Sequence, residues 1–343
     1  MKKNCNKSTY ASQWDQRIIY MQYITNKVDN EKKYKFSICT PCFNSSKTIE
    51  LVYQSIKELK YKNFEWIIVN DFSTDNTADI IVDIINKSDV DISFYNLDEN
   101  KMVTYCYNLA VKNSHSEFLI LLDHDDRIVP NAFERFLYYW NEVPYSDKEN
   151  LVGMMSNCDD ENGNLVGTLF PDSPYINGFF ELVFDDGIRG EKFFCYRTDV
   201  MKSNNFPLVD RYVPEGTVMW NISALYQTLF FNESLRIYNK PQPGNSNLSF
   251  LNSFEYSKGF KFKFLELLNK HSDKVILRPR VCLIFTYNYT LYSCASKTSA
   301  IEMIADLDRY LIKVLSLLCL PLAYIAWNIK KRSNFIMAIG WTS

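Results

Sequence analysis

Three carboxylates, Asp123, Asp125 and Asp126, follow directly on the apolar run Leu119-Ile120-Leu121-Leu122, with His124 among them. Carboxylates crowded in this way repel one another, and the crowding costs stability unless a cation or a polar ligand sits between them. An Asp-x-Asp at the carboxyl end of a parallel strand is a seat for a hard divalent ion, Mg²⁺ or Mn²⁺, and for the phosphates it escorts. Two other stretches offer complementary chemistry. Pro41-Cys42-Phe43-Asn44 presents an aromatic ring, and a ring stacked on a nucleobase contributes about 1–3 kcal/mol in other nucleobase sites. Asn70-Asp71-Phe72-Ser73-Thr74-Asp75-Asn76-Thr77 presents a carboxylate that could accept a base N–H or bridge ribose hydroxyls. Ring, carboxylate and acidic cluster together meet the needs of a nucleotide-diphosphate pocket. Taken singly, each has a plainer reading: Phe43 as core, Asp71 to Thr77 as a turn that caps a helix, Asp126 as a brace for its loop.

Those groups can act together only if the elements that carry them end on one rim. From Lys35 to Trp140 the pattern alternates strand and helix. Phe36 to Thr40, Phe64 to Val69, Asp91 to Leu97 and Glu117 to Leu122 read as strands. Ile49, Val52, Ile56 and Leu59 recur at helical spacing, as do Ala78, Ile81, Val82 and Ile85, with Ser73 or Thr74 as the expected cap. Met102, Cys106, Leu109 and Ala110 give a third helix, and Pro130 opens a fourth that carries Phe133, Phe136, Leu137 and Trp140. Repeated βα units predict a parallel, doubly wound sheet with right-handed crossovers. In such a sheet the first, second and fourth strands would end on the same side.

Beyond Pro144 the text changes. Residues 151 to 250 read as short strands and turns with one helix from Thr217 to about Phe230, and the chain from about Phe254 onward as mostly helices. Leu311 to Trp327 is strongly apolar, is interrupted by Lys313 and Pro321, and runs into Lys330-Lys331-Arg332. That makes a poor membrane span. It suits an in-plane amphipathic segment whose basic edge meets anionic lipid, and equally a core or dimer-packing helix.

Composition narrows the classes. With 47% hydrophobic and 15% aromatic residues, the 343-residue chain has ample core and is not a disordered protein. A net charge of −2 argues against broad nucleic-acid binding. The nine cysteines are odd in number and scattered, many within apolar runs, as expected of reduced thiols in the cytoplasm. Cys39-Thr40-Pro41-Cys42 has redox spacing, but Cys39 continues a strand alternation and no Trp precedes it. Residues 1 to 30 are polar and lack an apolar h-region, which predicts no secretory signal there.

At the three strand ends the chain resembles the family 2 inverting glycosyltransferases. Ser37-Ile38-Cys39-Thr40-Pro41-Cys42-Phe43-Asn44 is similar to that family's S-I-I-I-P-x-Y-N opening. Val69 to Thr77 is similar to V-D-D-x-S-x-D-x-T, with Asn70 in place of the first Asp. Asn100, Lys101 and Tyr107-Asn108 resemble N-x-G…A-R-N, with Met102 in place of Gly and Tyr107 in place of Arg. Asp123 to Asp126 matches D-x-D-D. The resemblance covers roughly residues 36 to 140. It implies a GT-A-type (Rossmann-like) α/β fold, a wound and mostly parallel sheet flanked by helices, with a helical C-terminal region. The implied organisation is an N-terminal extension (1–33), a glycosyltransferase domain (34–250, its nucleotide half 34–140 and acceptor half 141–250) and the helical region (251–343).

Roles follow from the resemblance residue by residue. Phe43 would stack on the base, often uracil, with Pro41 and Asn44 alongside. Asp71 would hydrogen-bond the base, and Asn108 would support the nucleotide or its loop. Asp123 would reach ribose or metal-bound water, and Asp125 would ligate Mg²⁺ or Mn²⁺. Family members carry an acidic Glu-Asp pair at a loop entering a helix. The matching segment here is Pro214-Glu215-Gly216-Thr217, so Gly216 replaces the second acid and Glu215 becomes the candidate general base. Its plainer reading is a Glu at a helix start, favoured by the helix dipole. Trp220 could stack on an acceptor sugar or lie in the core. Asn232 to Tyr238 and Asn247-Leu248-Ser249 resemble a later segment that closes over the pocket, where Arg236 could meet diphosphate.

The implied activity is transfer from a nucleotide-diphosphate sugar to a glycan or lipid-linked acceptor in surface polysaccharide synthesis. The chain would work in the cytoplasm, peripheral on the inner face of the cell membrane through Leu311 to Arg332, and would not bind nucleic acid. Two rivals remain at this point. A sugar nucleotidyltransferase would want a Gly-rich basic loop after the first strand, which residues 41 to 46 do not supply. A non-catalytic nucleotide-sugar-binding scaffold at the membrane is encouraged by Gly216.

Overall fold

The computed structural model describes residues 6–14, 17–27, 33–240 and 251–333. The chain forms two compact units. One comprises Met1–Asn205 with Tyr226–Ser249, the other Phe206–Leu225 with Phe250–Ser343.

The first unit is built on a mixed sheet. In chain order it contains β1 (Asn6–Trp14), β2 (Arg17–Thr25), β3 (Tyr34–Cys42), α1 (Ile49–Lys57), β4 (Phe64–Asn70), α2 (Thr77–Lys87), β5 (Asp91–Leu97), α3 (Val103–Lys112) and β6 (Ser116–Leu121). There follow β7 (Arg127–Ile128), α4 (Ala132–Glu142), α5 (Tyr145–Lys148), β8 (Leu151–Asp159), β9 (Tyr175–Asn177), α6 (Phe179–Phe184), β10 (Lys192–Arg197) and α7 (Thr198–Ser203). After α8 (Gly216–Ile222), which belongs to the second unit, the chain returns to the sheet as β11 (Gln227–Ile237). Strand order is β1-β2-β5-β4-β3-β6-β10-β8-β11-β7, with β9 against β11. The centre, β5-β4-β3-β6, is parallel and in the wound order that βα units dictate. Antiparallel β2 and β10 flank it.

Why these segments form a buried sheet is plain from their side chains. β4 is buried along its whole length, as a strand covered on both faces must be. Phe36 of β3 stacks on Phe133 of α4 at 4.1 Å, and Phe118 of β6 lies at 5.6 Å on another side. Trp66 buries its ring completely and donates its indole N–H to Thr40 Oγ1 at 2.9 Å. A buried ion pair ties β2 to this centre: Lys27 meets Glu65, which also accepts from Ser37 Oγ at 2.5 Å and the His115 backbone N–H at 2.7 Å.

The second unit is helical. Besides α8 it holds α9 (Ser257–Lys270), α10 (Ser272–Ile276), α11 (Pro279–Ala295), α12 (Ala300–Ala305) and α13 (Tyr310–Ser333). α11 packs against both α9 and α13. Ser299 and Glu302 cap α12 reciprocally.

Three expectations need correction. The helix expected from Thr217 to Phe230 stops at Ile222, and Gln227–Ile237 is a strand. The apolar run Leu229-Phe230-Phe231 suits either element by periodicity, and its pairing with β8 decides. The α2 cap position is Asn76 rather than Ser73 or Thr74, because those two residues are bonded into the turn before it. Finally, Pro321 does not interrupt α13. Pro321 and Leu317, whose carbonyl loses its helical donor, both lie on the exposed side of that helix, where the missing bond is tolerated.

Candidate functional site

β4, β3 and β6 are adjacent and parallel, so their carboxyl ends share one rim. Pro41, Phe43, Asn44, Asp71, Asp123 and Asp125 all fall there or in the turns just beyond. The turns after β3 and β4 are zipped together. The Asp71 N–H donates to the Cys42 carbonyl at 2.8 Å, and the Asn44 N–H to Ser73 Oγ at 2.9 Å. Asn44, at φ 51°, turns its side-chain oxygen to the Thr74 N–H at 2.9 Å and hydroxyl at 3.2 Å. Asp75 accepts from the Ser46 and Thr77 backbone N–H groups, both at 3.1 Å. This leaves Phe43 half-buried at the rim, held by its own N–H on Ser45 Oγ at 3.1 Å.

Asp71 is 4% exposed and its carboxylate faces the start of α3. One oxygen accepts the Lys101 N–H at 2.6 Å and the other the Met102 N–H at 2.8 Å, while Asn100 donates to the Asp71 carbonyl at 3.2 Å. The anion thus stabilises the positive end of the helix dipole. The Cys106 thiol, on α3, bonds to the same carboxylate. Met102 pays for this arrangement with φ 69° and ψ 163°, a conformation almost confined to glycine, at a position where the resembling family has Gly. Asn108 is fully buried on the same helix.

On α3 the Tyr107 hydroxyl donates to Asp123 at 2.7 Å. A neutral phenol therefore fixes the first acid of the cluster where the family places an Arg. Asp125 is half-buried. Burial raises its carboxyl above the ordinary range, the neighbouring Asp123 charge adds to that, and His124 works against it. The His124 ring nitrogen and the Thr48 hydroxyl lie 3.3 Å apart. Asp126 is fully buried, and burial pushes its carboxyl up to about 7 despite Arg236. It accepts the Asn239 N–H at 2.9 Å and pairs with Arg236 at 3.3 Å, so it does brace the loop.

The donor set at Asp123 and Asp125 suits a divalent ion that arrives with phosphate. Among the described residues no group of three or more His, Cys, Asp or Glu is assembled for a metal. Mg²⁺ is commonly held by one or two carboxylates with substrate phosphates and water completing its shell. A carboxyl raised by burial, with an adjacent acid adding to it, is what a cation would relieve.

Arg236 is buried beside the acidic cluster, 3.3 Å from Asp126 and 3.0 Å from Glu191, and its charge also bears on Asp125. Several other residues lie elsewhere. Asn232 to Ile237 form part of β11, with Asn232 bonded to Phe170 and Asn157 and Glu233 paired with Arg135. Asn247-Leu248-Ser249 lies outside the described residues. Cys39 and Cys42 are buried free thiols, pushed up by burial, which does not suit a redox pair. Glu215 sits in the helical unit at the cap position of α8, half-buried. Trp220 is core there, its carbonyl 2.7 Å from the His271 ring. The hold of Tyr107 on Asp123 and the Asp71 grip on α3 left no signal in residue spacing, because both are contacts between elements.

The wound parallel centre, with antiparallel strands and helices about it, is a GT-A-type fold. Solved structures share this fold. TarS 1-349 of S. aureus in complex with UDP aligns over 88% of this chain and 92% of its own, with TM-score 0.58 and 16% identity. The same protein in complex with UDP-GlcNAc aligns equally, also with TM-score 0.58 and 16% identity. Residues 37–199, just under half of the chain, match the model of Glycosyl transferase family 2. Among curated relatives, a poly-beta-1,6-N-acetyl-D-glucosamine synthase of Staphylococcus epidermidis is 33% identical over 106 residues. A teichoic acid poly(glycerol phosphate) polymerase of the same species is 31% identical over 109 residues. These matches take in 31% and 32% of this chain but only 25% and 15% of the relatives' lengths.

Proposed function

We propose that this chain is an inverting glycosyltransferase that moves a sugar from a nucleotide-diphosphate sugar, a UDP-sugar, to a glycan or lipid-linked acceptor in surface polysaccharide synthesis. The observation that carries the reading is the delivery of Phe43, Asp71, Asp123 and Asp125 to one rim by three adjacent parallel strands. The names of the relatives and the UDP and UDP-GlcNAc complexes of the structural neighbours support the donor and pathway.

In this reading Phe43 stacks on the base, with Pro41 and Asn44 shaping the turn, and Asp71 accepts a base N–H. Asn108 supports the loop before α3, and Asp123, oriented by Tyr107, reaches ribose. Asp125, with Asp123 beside it, would hold Mg²⁺ or Mn²⁺, whose charge offsets that gathering on a departing diphosphate. Glu215 takes the proton from the acceptor hydroxyl as it attacks the anomeric carbon from the face opposite the diphosphate, which inverts the configuration. The free thiols throughout the described residues fit a cytoplasmic site of action, with the chain peripheral on the inner face of the cell membrane.

A thermal-shift panel of nucleotide sugars with and without Mn²⁺ tests the donor assignment. UDP-sugars should raise Tm, and Mn²⁺ should enlarge the shift. Asp125→Asn should abolish the Mn²⁺-dependent part and keep the metal-free part. A shift indifferent to Mn²⁺ in the natural chain removes the metal from the reading, and no shift with any nucleotide sugar removes the donor.

A further inference from the structure

One surface of the helical unit has no use in sugar transfer. α13 packs on α11 through Ile312, Ser316, Cys319 and Ala323, which are buried, and the Ser316 and Thr290 hydroxyls meet at 2.8 Å. At 3.6 residues per turn, Leu311, Leu318, Leu322, Ile325 and Ile329 fall in a single row about 120° round the helix from that packed side. They are between 49% and 69% exposed. Tyr310, Leu317, Pro321 and Tyr324, also exposed, widen the row to an apolar arc of about 160° of the helix circumference.

That arc decides what can cover it. A helix packed on a protein core turns about 100° of its circumference inward. A second copy of the chain, being a solid surface, would cover a stripe of that width and leave the rest in water. A fluid apolar phase covers the whole arc. The charge pattern points the same way: α13 contains Lys313, Lys330, Lys331 and Arg332 and no acidic residue. Tyr310 and Tyr324, both exposed, supply rings of the kind that settle at a membrane–water boundary. By length and composition the helix could cross a bilayer. Crossing would drag along α11, to which one side of α13 is bonded, and with it α9, whose Lys258, Lys261, Lys263, Glu266 and Lys270 cannot be left in hydrocarbon.

We infer that α13 is a monotopic lipid-docking helix: it lies in the plane of an anionic membrane face and sinks Leu311, Leu318, Leu322, Ile325 and Ile329 among the acyl chains. This deepens the membrane-side part of the proposed function by naming the face, its orientation and the lipid charge. It does not depend on the donor reading.

The test is cosedimentation of the purified full chain with vesicles of phosphatidylglycerol and phosphatidylcholine, or of phosphatidylcholine alone, with UDP binding followed in parallel. The chain should pellet with the anionic vesicles, at least tenfold less with the neutral ones, and be released by raised salt. Leu318→Glu combined with Ile325→Glu should lower the vesicle-bound fraction at least tenfold and leave UDP affinity unchanged. In a second variant, Leu322→Trp should show fluorescence quenched by brominated acyl chains, a readout that survives if the double variant does not fold. Failure of the natural chain to pellet with anionic vesicles overturns the inference, as does absence of quenching at position 322. Binding that resists salt and is indifferent to lipid charge overturns the in-plane, anionic form. A dimer that the double variant splits, with no vesicle binding, assigns the face to a second copy instead. Loss of UDP binding by the natural chain would count against the donor reading alone.

Discussion

Asp71 and Met102 show how one side chain can fix the start of a helix. The Asp71 carboxylate accepts the backbone N–H groups of Lys101 and Met102, at the point where Met102 adopts φ 69°. A non-glycine residue there costs of order 1–3 kcal/mol, whereas glycine costs about 0.5–1 kcal/mol in chain entropy. Met102→Gly should therefore stabilise the chain by about 1 kcal/mol, read as a higher midpoint in urea with an unchanged slope. A lower midpoint would mean that the methionine side chain contributes packing that outweighs the strain. In the sequence the missing glycine was visible as a departure from a motif, but its consequence was not. A backbone conformation is set by the contacts that over-determine it, and those come from β4, thirty residues upstream. The same holds for Tyr107. Its place in the motif was legible, and its bond to Asp123 was not.

Among the elements, periodicity served best where burial was most complete. β3, β4, β5 and β6 are largely buried, and their observed limits lie within two residues of the expected ones. β11 failed the same test because Leu229-Phe230-Phe231 has no period of its own and is settled by its neighbours β8, β7 and β9. Partner-dependent pairing also explains β1 and β2, which polar sequence does not announce and which join the sheet through β5. Lys27, just past β2, gives that edge a specific hold on the centre. Lys27→Met would leave the buried Glu65 without its cation, although Ser37 and the His115 N–H still donate to it. Removing one partner of a buried pair costs about 3–5 kcal/mol, and the two remaining bonds place the expected loss near 3 kcal/mol. Denaturation of the variant at neutral pH measures it. A loss below about 1 kcal/mol would mean that the pair behaves as a surface contact.

At the scale of the whole molecule, the groups assigned to the donor and the group assigned to proton transfer belong to different units. Phe43, Asp71, Asp123 and Asp125 lie in the sheet unit, and Glu215 in the helical one. Removing the Glu215 charge changes none of the residues proposed to hold the donor. Glu215→Gln keeps the side-chain shape and loses the base, and general-base catalysis contributes about 10²–10⁴-fold in rate. The expected outcome is a turnover lower by that factor with UDP-sugar affinity within twofold of the natural chain. A parallel fall in affinity would make Glu215 a donor contact. Undiminished turnover would move the base elsewhere. Gly216 sharpens the comparison. A Cβ built there meets Trp220 Nε1 at 3.7 Å, ordinary contact, and its backbone is not left-handed. Gly216→Asp should consequently fold as well as the natural chain. In the Glu215→Gln background it should restore part of the lost turnover, because a carboxylate one residue along the start of α8 can serve the same hydroxyl. Absence of any rescue in a folded double variant would show that the position of the acid, and not merely its presence in this loop, decides the reaction.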